Sequence, residues 1–114
     1  MEPIKEQINF ADFSKLDLRI GEVLSAENIE GSDKLLKLNV DFGELGKRQI
    51  LSGIKKWYTP ETIIGKQFVF AVNLEPKQMM GLESQGMLIA AHGEESSAVL
   101  YILDKKVENG SKVS

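Results

Sequence analysis

The sequence predicts an all-β domain: a small barrel of five strands with one short helix between the third and the fourth. Three observations carry that expectation. Apolar and polar residues alternate over short stretches instead of recurring at helical spacing. Gly, Asn, Asp and Pro separate those stretches, as turn residues do between strands. One strong helix start, Thr59-Pro60-Glu61, falls after the third stretch.

Asn9-Phe10-Ala11-Asp12-Phe13 reads as a capped turn of helix with Asn9 as N-cap, because an Asx oxygen accepts from the free N–H groups of a first turn. Leu16, Leu18 and Ile20 alternate with Asp17 and Arg19, the mark of a half-buried strand. Gly21 then breaks the phase, so a bulge or tight bend is expected there. Such a bend is what a strongly curved small barrel needs in order to close. Leu36, Leu38, Val40 and Phe42 form the cleanest alternation, with Lys37, Asn39 and Asp41 on the other face. Residues 43–46 make the following turn, and residues 48–54 a third strand. Thr59 as N-cap and Pro60 at the first helical position open the helix, and Gly65 ends it about one and a half turns later.

Residues 68–74, 86–91 and 98–103 are three further strands, and Asn109-Gly110 reads as a turn. Five core strands, a helix between the third and fourth, then an extra strand and a tail is the order of an OB-fold. That fold is a five-stranded Greek-key barrel that often binds nucleic acids on strands two and three and in the adjoining loops.

A length of 114 residues bounds the chain to one domain, 1–114, with a core that needs no staples. No cysteine is present, which excludes disulfides and thiolate metal sites, and His92 alone makes no zinc site. No apolar run approaches the ~20 residues of a membrane span, and the charged N-terminus lacks the apolar stretch of a signal peptide. A cytoplasmic protein without a cofactor is expected. Catalytic motifs are missing as well. Gly81-x-x-Ser84-x-Gly86 is one residue too long for a nucleophile elbow, and no P-loop occurs.

The net charge of −3 argues against a general polyanion binder. Its distribution is uneven. Residues 34–77 hold eight basic and four acidic side chains, hence +4, which leaves −7 for the remainder. A basic middle permits a localised anionic partner. Lys34, Lys37, Asn39 and Arg48 offer donors for phosphates on or beside the second strand. Ser52-Gly53 leaves room for close backbone approach. Trp57 and Tyr58 are expected to pack the helix onto the barrel, with base stacking as the second reading. Met79, Met80 and Met87 form an adaptable apolar group, and core packing is expected for at least two of them. The long connection after residue 72 carries Asn73, Lys77, Ser84 and Gln85. It is where function is expected, because loops on a rigid scaffold carry binding residues.

Five ordered blocks carry a resemblance. They are Asp17-Leu18-Arg19-Ile20-Gly21, the run from Asp33-Lys34 to Phe42-Gly43, Arg48-Gln49-Ile50-Leu51-Ser52-Gly53-Ile54, Asn73-Leu74-Glu75-Pro76-Lys77, and the run from Gly81-Leu82 to Ala90-Ala91. Together they resemble the tRNA-binding domain family over nearly the whole chain. That family includes the C-terminal domain of methionyl-tRNA synthetase, free-standing structure-specific tRNA-binding proteins, and the cytokine-precursor domain of animal synthetase cofactors.

The resemblance implies an OB-fold that reads the outer corner of tRNA by shape, with little sequence preference and without catalysis. This explains how a net-acidic chain can bind RNA, since only one face must be basic. It implies Lys34, Arg48, Asn73, Lys77, Ser84 and Met87 as contacts, with Ser52 and Gln85 as second choices. Lys34 and Arg48 would neutralise phosphates, Asn73, Ser84 and Gln85 would hydrogen-bond, and Met87 would pack on a sugar or base. Glu75, Gln78 and Glu44 depart from a fully basic surface and imply modest affinity. The resemblance further implies a homodimer built from residues 1–14 and 99–114, and association with an aminoacyl-tRNA synthetase. Two other classes are a dimeric peptide-binding chaperone of the same fold family and a pure dimerisation or docking module.

Overall fold

Strict alternation makes residues 36–41 the centre of the barrel. Leu36, Leu38 and Val40 are buried while Asn39 is exposed, because successive side chains of a strand face opposite ways. A computed structural model describes residues 1–114. In it, strand β2 (Leu36–Asp41) lies between β1 (Leu18–Asn28) and β3 (Lys47–Ser52). Strand β1 serves two partners. Its first half pairs with β4 (Gln67–Ala71), from Leu18↔Ala71 to Glu22↔Gln67, and its second half with β2, from Glu22↔Asp41 to Asn28↔Leu36. One strand shared between two directions is what curls the sheet.

The break expected at Gly21 divides into two features. The register shift lies between Val23 and Ser25, leaving Leu24 as the extra residue. Gly21 stays in the ladder, opposite Phe68, and its function is clearance. A Cβ there would sit 2.5 Å from Cγ1 of Val40 and 2.7 Å from Cε1 of Phe42, both inside the core. Gly21→Ala is therefore expected to destabilise the fold by about 1–3 kcal/mol, as overpacking a dense core does. The urea midpoint measures it. A loss below ~0.5 kcal/mol, the range of ordinary surface changes, would mean that β1 moves aside freely.

Helix α2 (Pro60–Ile63) follows Thr59 at the N-cap position, although the Thr59 side chain makes no capping bond. It inserts Ile63 into the core and closes one barrel end. There Gly65 N–H donates to the Val23 carbonyl at 2.7 Å and Val23 N–H to the Lys66 carbonyl at 3.0 Å. Helix α1 (Phe10–Phe13) is the expected capped turn, with Asp12 N–H donating to Asn9 Oδ1 at 2.8 Å. The residues before it are exposed, Ile4 and Ile8 among them.

The second half of the chain is more divided than its pattern predicts. The connection after β4 contains its own hairpin, β5 (Lys77–Met79) and β6 (Leu82–Ser84). Its turn residues Met80 and Gly81 both have positive φ, 52° and 76°, as a type I′ turn requires. The expected strand 86–91 is two strands. Strand β7 (Met87–Leu88) pairs with β4, and β8 (Ala90–His92) leaves the barrel to pair with β9 (Ala98–Leu100). The expected third strand ends at Ser52 and the expected last strand at Leu100, each short of its pattern. The tail turns at Asn109-Gly110, where Gly110 N–H donates to the Ile20 carbonyl at 2.7 Å. It then adds β10 (Lys112–Val113) to β1. At the barrel centre Phe42 and Phe70 meet edge to face, 5.4 Å between centroids.

The barrel closes between β3 and residues 83–86, largely through side chains. Gln85 N–H donates to the Gln49 carbonyl at 2.8 Å, and Gln49 N–H donates to Gln85 Oε1 at 3.0 Å. Leu51 N–H donates to Ser84 Oγ at 3.0 Å, and Gln49 Nε2 to the Glu83 carbonyl at 2.9 Å. Three polar side chains, Gln49, Ser84 and Gln85, stand in for most of a backbone ladder at the seam.

Candidate nucleic-acid interface

The β5–β6 hairpin is the element around which the expected site residues gather, and four of them hold it in place. Asn73 is used at both ends of its amide: Oδ1 accepts from Asp17 N–H at 2.8 Å and Nδ2 donates to the Lys15 carbonyl at 2.6 Å. It ties the start of the connection to the start of β1. Arg48 Nη1 donates to the carbonyls of Val72 and, at 3.1 Å, Gln85, so its guanidinium clamps both ends of the connection to β3. Ser84 is buried, and its hydroxyl accepts from Leu51 and donates to the Gly86 carbonyl at 3.0 Å. Gln85 completes the seam. Ser84 therefore presents no hydroxyl to solvent, and Asn73 and Gln85 hold their amides in bonds to the chain itself.

The remaining four differ. Lys77 is exposed on β5, opposite Ser84. Lys34 is exposed in the β1–β2 connection. Met87 is exposed on β7 while its neighbour Leu88 points into the core. Ser52 is half-buried at the end of β3 and makes no side-chain hydrogen bond.

Two clefts flank the hairpin. At its base, Lys47, Arg48, Val72, Leu74, Pro76 and Gln85 line one of about 400 Å³. Near its tip, a cleft of about 650 Å³ is lined by the 31–35 loop, Gly53, Lys56, Trp57, Met79 and Met80. The ion pairs of the chain are Lys15–Asp12, Arg19–Asp17 and Lys37–Glu27. Lys34, Lys47, Arg48, Lys56 and Lys77 thus carry no carboxylate partner and leave a net positive margin around the hairpin. Lys37 is the exception on the second strand, held 3.7 Å from Glu27. The Arg19 guanidinium is engaged by Asp17, whose hydrogen bond is the main cause raising its pKa above the ordinary arginine value.

Lys47 and Lys56 were not among the expected contacts. Their signal was the doublets Lys47-Arg48 and Lys55-Lys56. Trp57 corrects an expectation. Tyr58 packs on the core, its hydroxyl accepting from Leu100 N–H at 3.1 Å, but Trp57 is 43% exposed in the tip cleft. Both rings belong to the turn before the helix, where Trp57 N–H and Tyr58 N–H share the Ile54 carbonyl, and the two successive side chains diverge, one inward and one outward. The methionines correct another: Met80 and Met87 are exposed and Met79 is half-buried, because the first two sit at a turn and on an outward strand face.

Residues 18–112 match the family model described as "Putative tRNA binding domain". The methionine–tRNA ligase of Caldanaerobacter subterraneus subsp. tengcongensis is 50% identical over 109 residues, which is 96% of this chain and 17% of that enzyme. That of Methanothrix thermoacetophila is 53% identical over 111 residues, 96% of this chain and 16% of that enzyme. The chain thus spans about one sixth of the length of these relatives. Among solved structures, a MetRS-related protein from Pyrococcus horikoshii superposes with a TM-score of 0.90 at 41% identity, covering 96% of this chain and 100% of that one. The chaperone CsaA from Bacillus anthracis does so with a TM-score of 0.88 at 40% identity, with the same coverage. No helix is long and apolar enough to cross a membrane. With a near-complete family match, an antiparallel barrel nearly closed on itself, and a hairpin ringed by unpaired cations, this chain belongs to the tRNA-binding domain family.

Proposed function

We propose that the domain binds tRNA by shape and performs no chemistry itself, raising the local tRNA concentration for a methionyl-tRNA synthetase as an appended or free-standing module. The observation that carries this is the set of Lys34, Lys47, Lys56 and Lys77 around the β5–β6 hairpin, free of ion pairs in a chain of net charge −3. Lys34, Lys77 and Met87 make direct contact. Arg48, Asn73, Ser84 and Gln85 position the hairpin, with Arg48 also contributing charge, and Ser52 borders the tip cleft through Gly53. The domain works as a homodimer in the cytoplasm. Exposed Ile4, Ile8, Phe10, Val99, Tyr101 and Ile102 support the dimer, since apolar surface of this kind suits a twofold contact.

Binding of total tRNA across a salt series tests the reading. Four neutralised phosphates give a slope of log affinity on log salt of about −2.8 to −3.6, or roughly a 50- to 150-fold loss between ~50 and ~200 mM salt. Lys34→Ala should make the slope shallower by about 0.7–0.9. The likeness to a chaperone and the exposed apolar residues favour a second reading, binding of unfolded peptides. That binding would hold or strengthen with salt. Flat salt dependence, or tRNA binding no tighter than that of a duplex RNA, would sink the first reading.

A further inference from the structure

We propose that the cleft at the hairpin tip takes a single unpaired nucleotide of the bound RNA, with its base on the Trp57 indole. The inference rests on the tRNA-binding reading and adds to it a base contact that shape recognition does not require.

Size and chemistry agree. A cleft of about 650 Å³ falls in the range of small-ligand sites, ~300–1,000 Å³. Trp57 leaves its ring open to that cleft, and an indole face binds any base by stacking. Lys34 and Lys56 stand beside it without ion pairs, placed to meet the phosphates on either side of a stacked nucleotide. Asp33 is the one carboxylate of the lining, an acceptor for a base amino group or a ribose hydroxyl.

The walls are preformed on one side and adjustable on the other. Ser32 Oγ accepts from Lys34 N–H at 3.3 Å and Leu35 N–H at 3.0 Å, and Lys55 Nζ donates to the Ser32 carbonyl at 2.8 Å. Lys55 thus braces the loop while Lys56 stays free. Opposite, Met80 reaches over Gly31, with Cε 3.6 Å from where a Cβ would stand. A thioether chain with three rotatable bonds can shift to admit a flat ring. Gly53 has nothing within 4 Å of its Cβ position, so the floor remains open.

Trp57 is the only tryptophan, so its emission reports this cleft alone. The protein is titrated with total tRNA, with a single-stranded hepta-adenylate RNA, and with an unfolded Leu/Phe-rich peptide, while a mobility shift reports tRNA binding independently. Saturable quenching by both RNAs is expected. Trp57→Ala should weaken tRNA binding about 5- to 150-fold, the range for loss of one stacked base. Trp57→Phe, which keeps an aromatic face, should retain most of the affinity, and circular dichroism shows whether each variant is folded. If tRNA binds with unchanged emission and Trp57→Ala binds as well as the parent, the cleft inference is overturned and the tRNA reading survives. Quenching by hepta-adenylate without a tRNA shift would keep the cleft and remove the tRNA reading. Quenching by the peptide alone, or by nothing, overturns the cleft inference.

Discussion

Phe70→Ala is expected to cost about 3–5 kcal/mol of stability, the usual loss for emptying an aromatic site in a packed core. Phe70 is fully buried in β4, where its backbone pairs with Arg19 on one side and Leu88 on the other. Its ring meets Phe42 edge to face at 84°, an arrangement worth about 0.5–1.5 kcal/mol beyond area burial. The barrel wall around it is made of paired strands and cannot collapse into the void. Domains of this size have roughly 5–15 kcal/mol in total, so the variant loses a large share of its stability. Its melting temperature should fall on the order of 15 °C, with an unchanged urea m-value. A loss under ~1 kcal/mol would show that the two rings are not the centre of the core. Ile102→Ala, at an 86% exposed position, should be nearly silent in the monomer. A protein-concentration-dependent loss there would instead support the proposed dimer.

Ser84→Ala is expected to destabilise by about 2–4 kcal/mol, although it removes one oxygen atom. The change strips the buried Leu51 N–H of its acceptor, which costs about 1–3 kcal/mol, and the half-buried Gly86 carbonyl of its donor, which costs less because water can reach it. Leu51 lies in β3, so the seam closing the barrel opens where the hairpin is attached. Amide exchange at Leu51 should quicken more than at Leu38, which lies away from the seam. The same variant separates positioning from contact. Ser84 meets no phosphate in the proposed function, so Ser84→Ala should weaken tRNA binding without altering the salt slope, whereas Lys34→Ala alters the slope. A shallower slope in Ser84→Ala, with Leu51 exchange unchanged, would place the hydroxyl on the RNA after all.

Much of the barrel was legible because its signals are local. Alternation at residues 36–42 needs no partner to be read, and it delivered Leu36, Leu38, Val40 and Phe42 to the core. The Thr59-Pro60 start and the Asn9 cap were equally plain, since each depends on chemistry within one turn. The β5–β6 hairpin was not legible. Its strands are three residues each, and the turn uses Met80 at positive φ, a position usually taken by Asn, Asp or Gly. The split at Ile89 was hidden for a related reason. The apolar run is continuous, and only the bond from Ile89 N–H to the Val69 carbonyl shows where the chain leaves β4.

The candidate site divides along the same line. Sequence alone determined the all-β class, the order of the barrel strands and the basic middle of the chain, because composition and periodicity are written residue by residue. Only the tertiary structure decided which polar groups are still free to meet a ligand. Asn73 is used by residues 56 and 58 positions away, Arg48 by carbonyls 24 and 37 away, and Ser84 by an amide 33 away. A hydrogen bond saturates its donor and acceptor, and its partner across a closed barrel is set by strand order and register. Lys34 and Lys77 form no ion pair and Trp57 stays open to the cleft, and each of these too is set by where the folded chain places its neighbours.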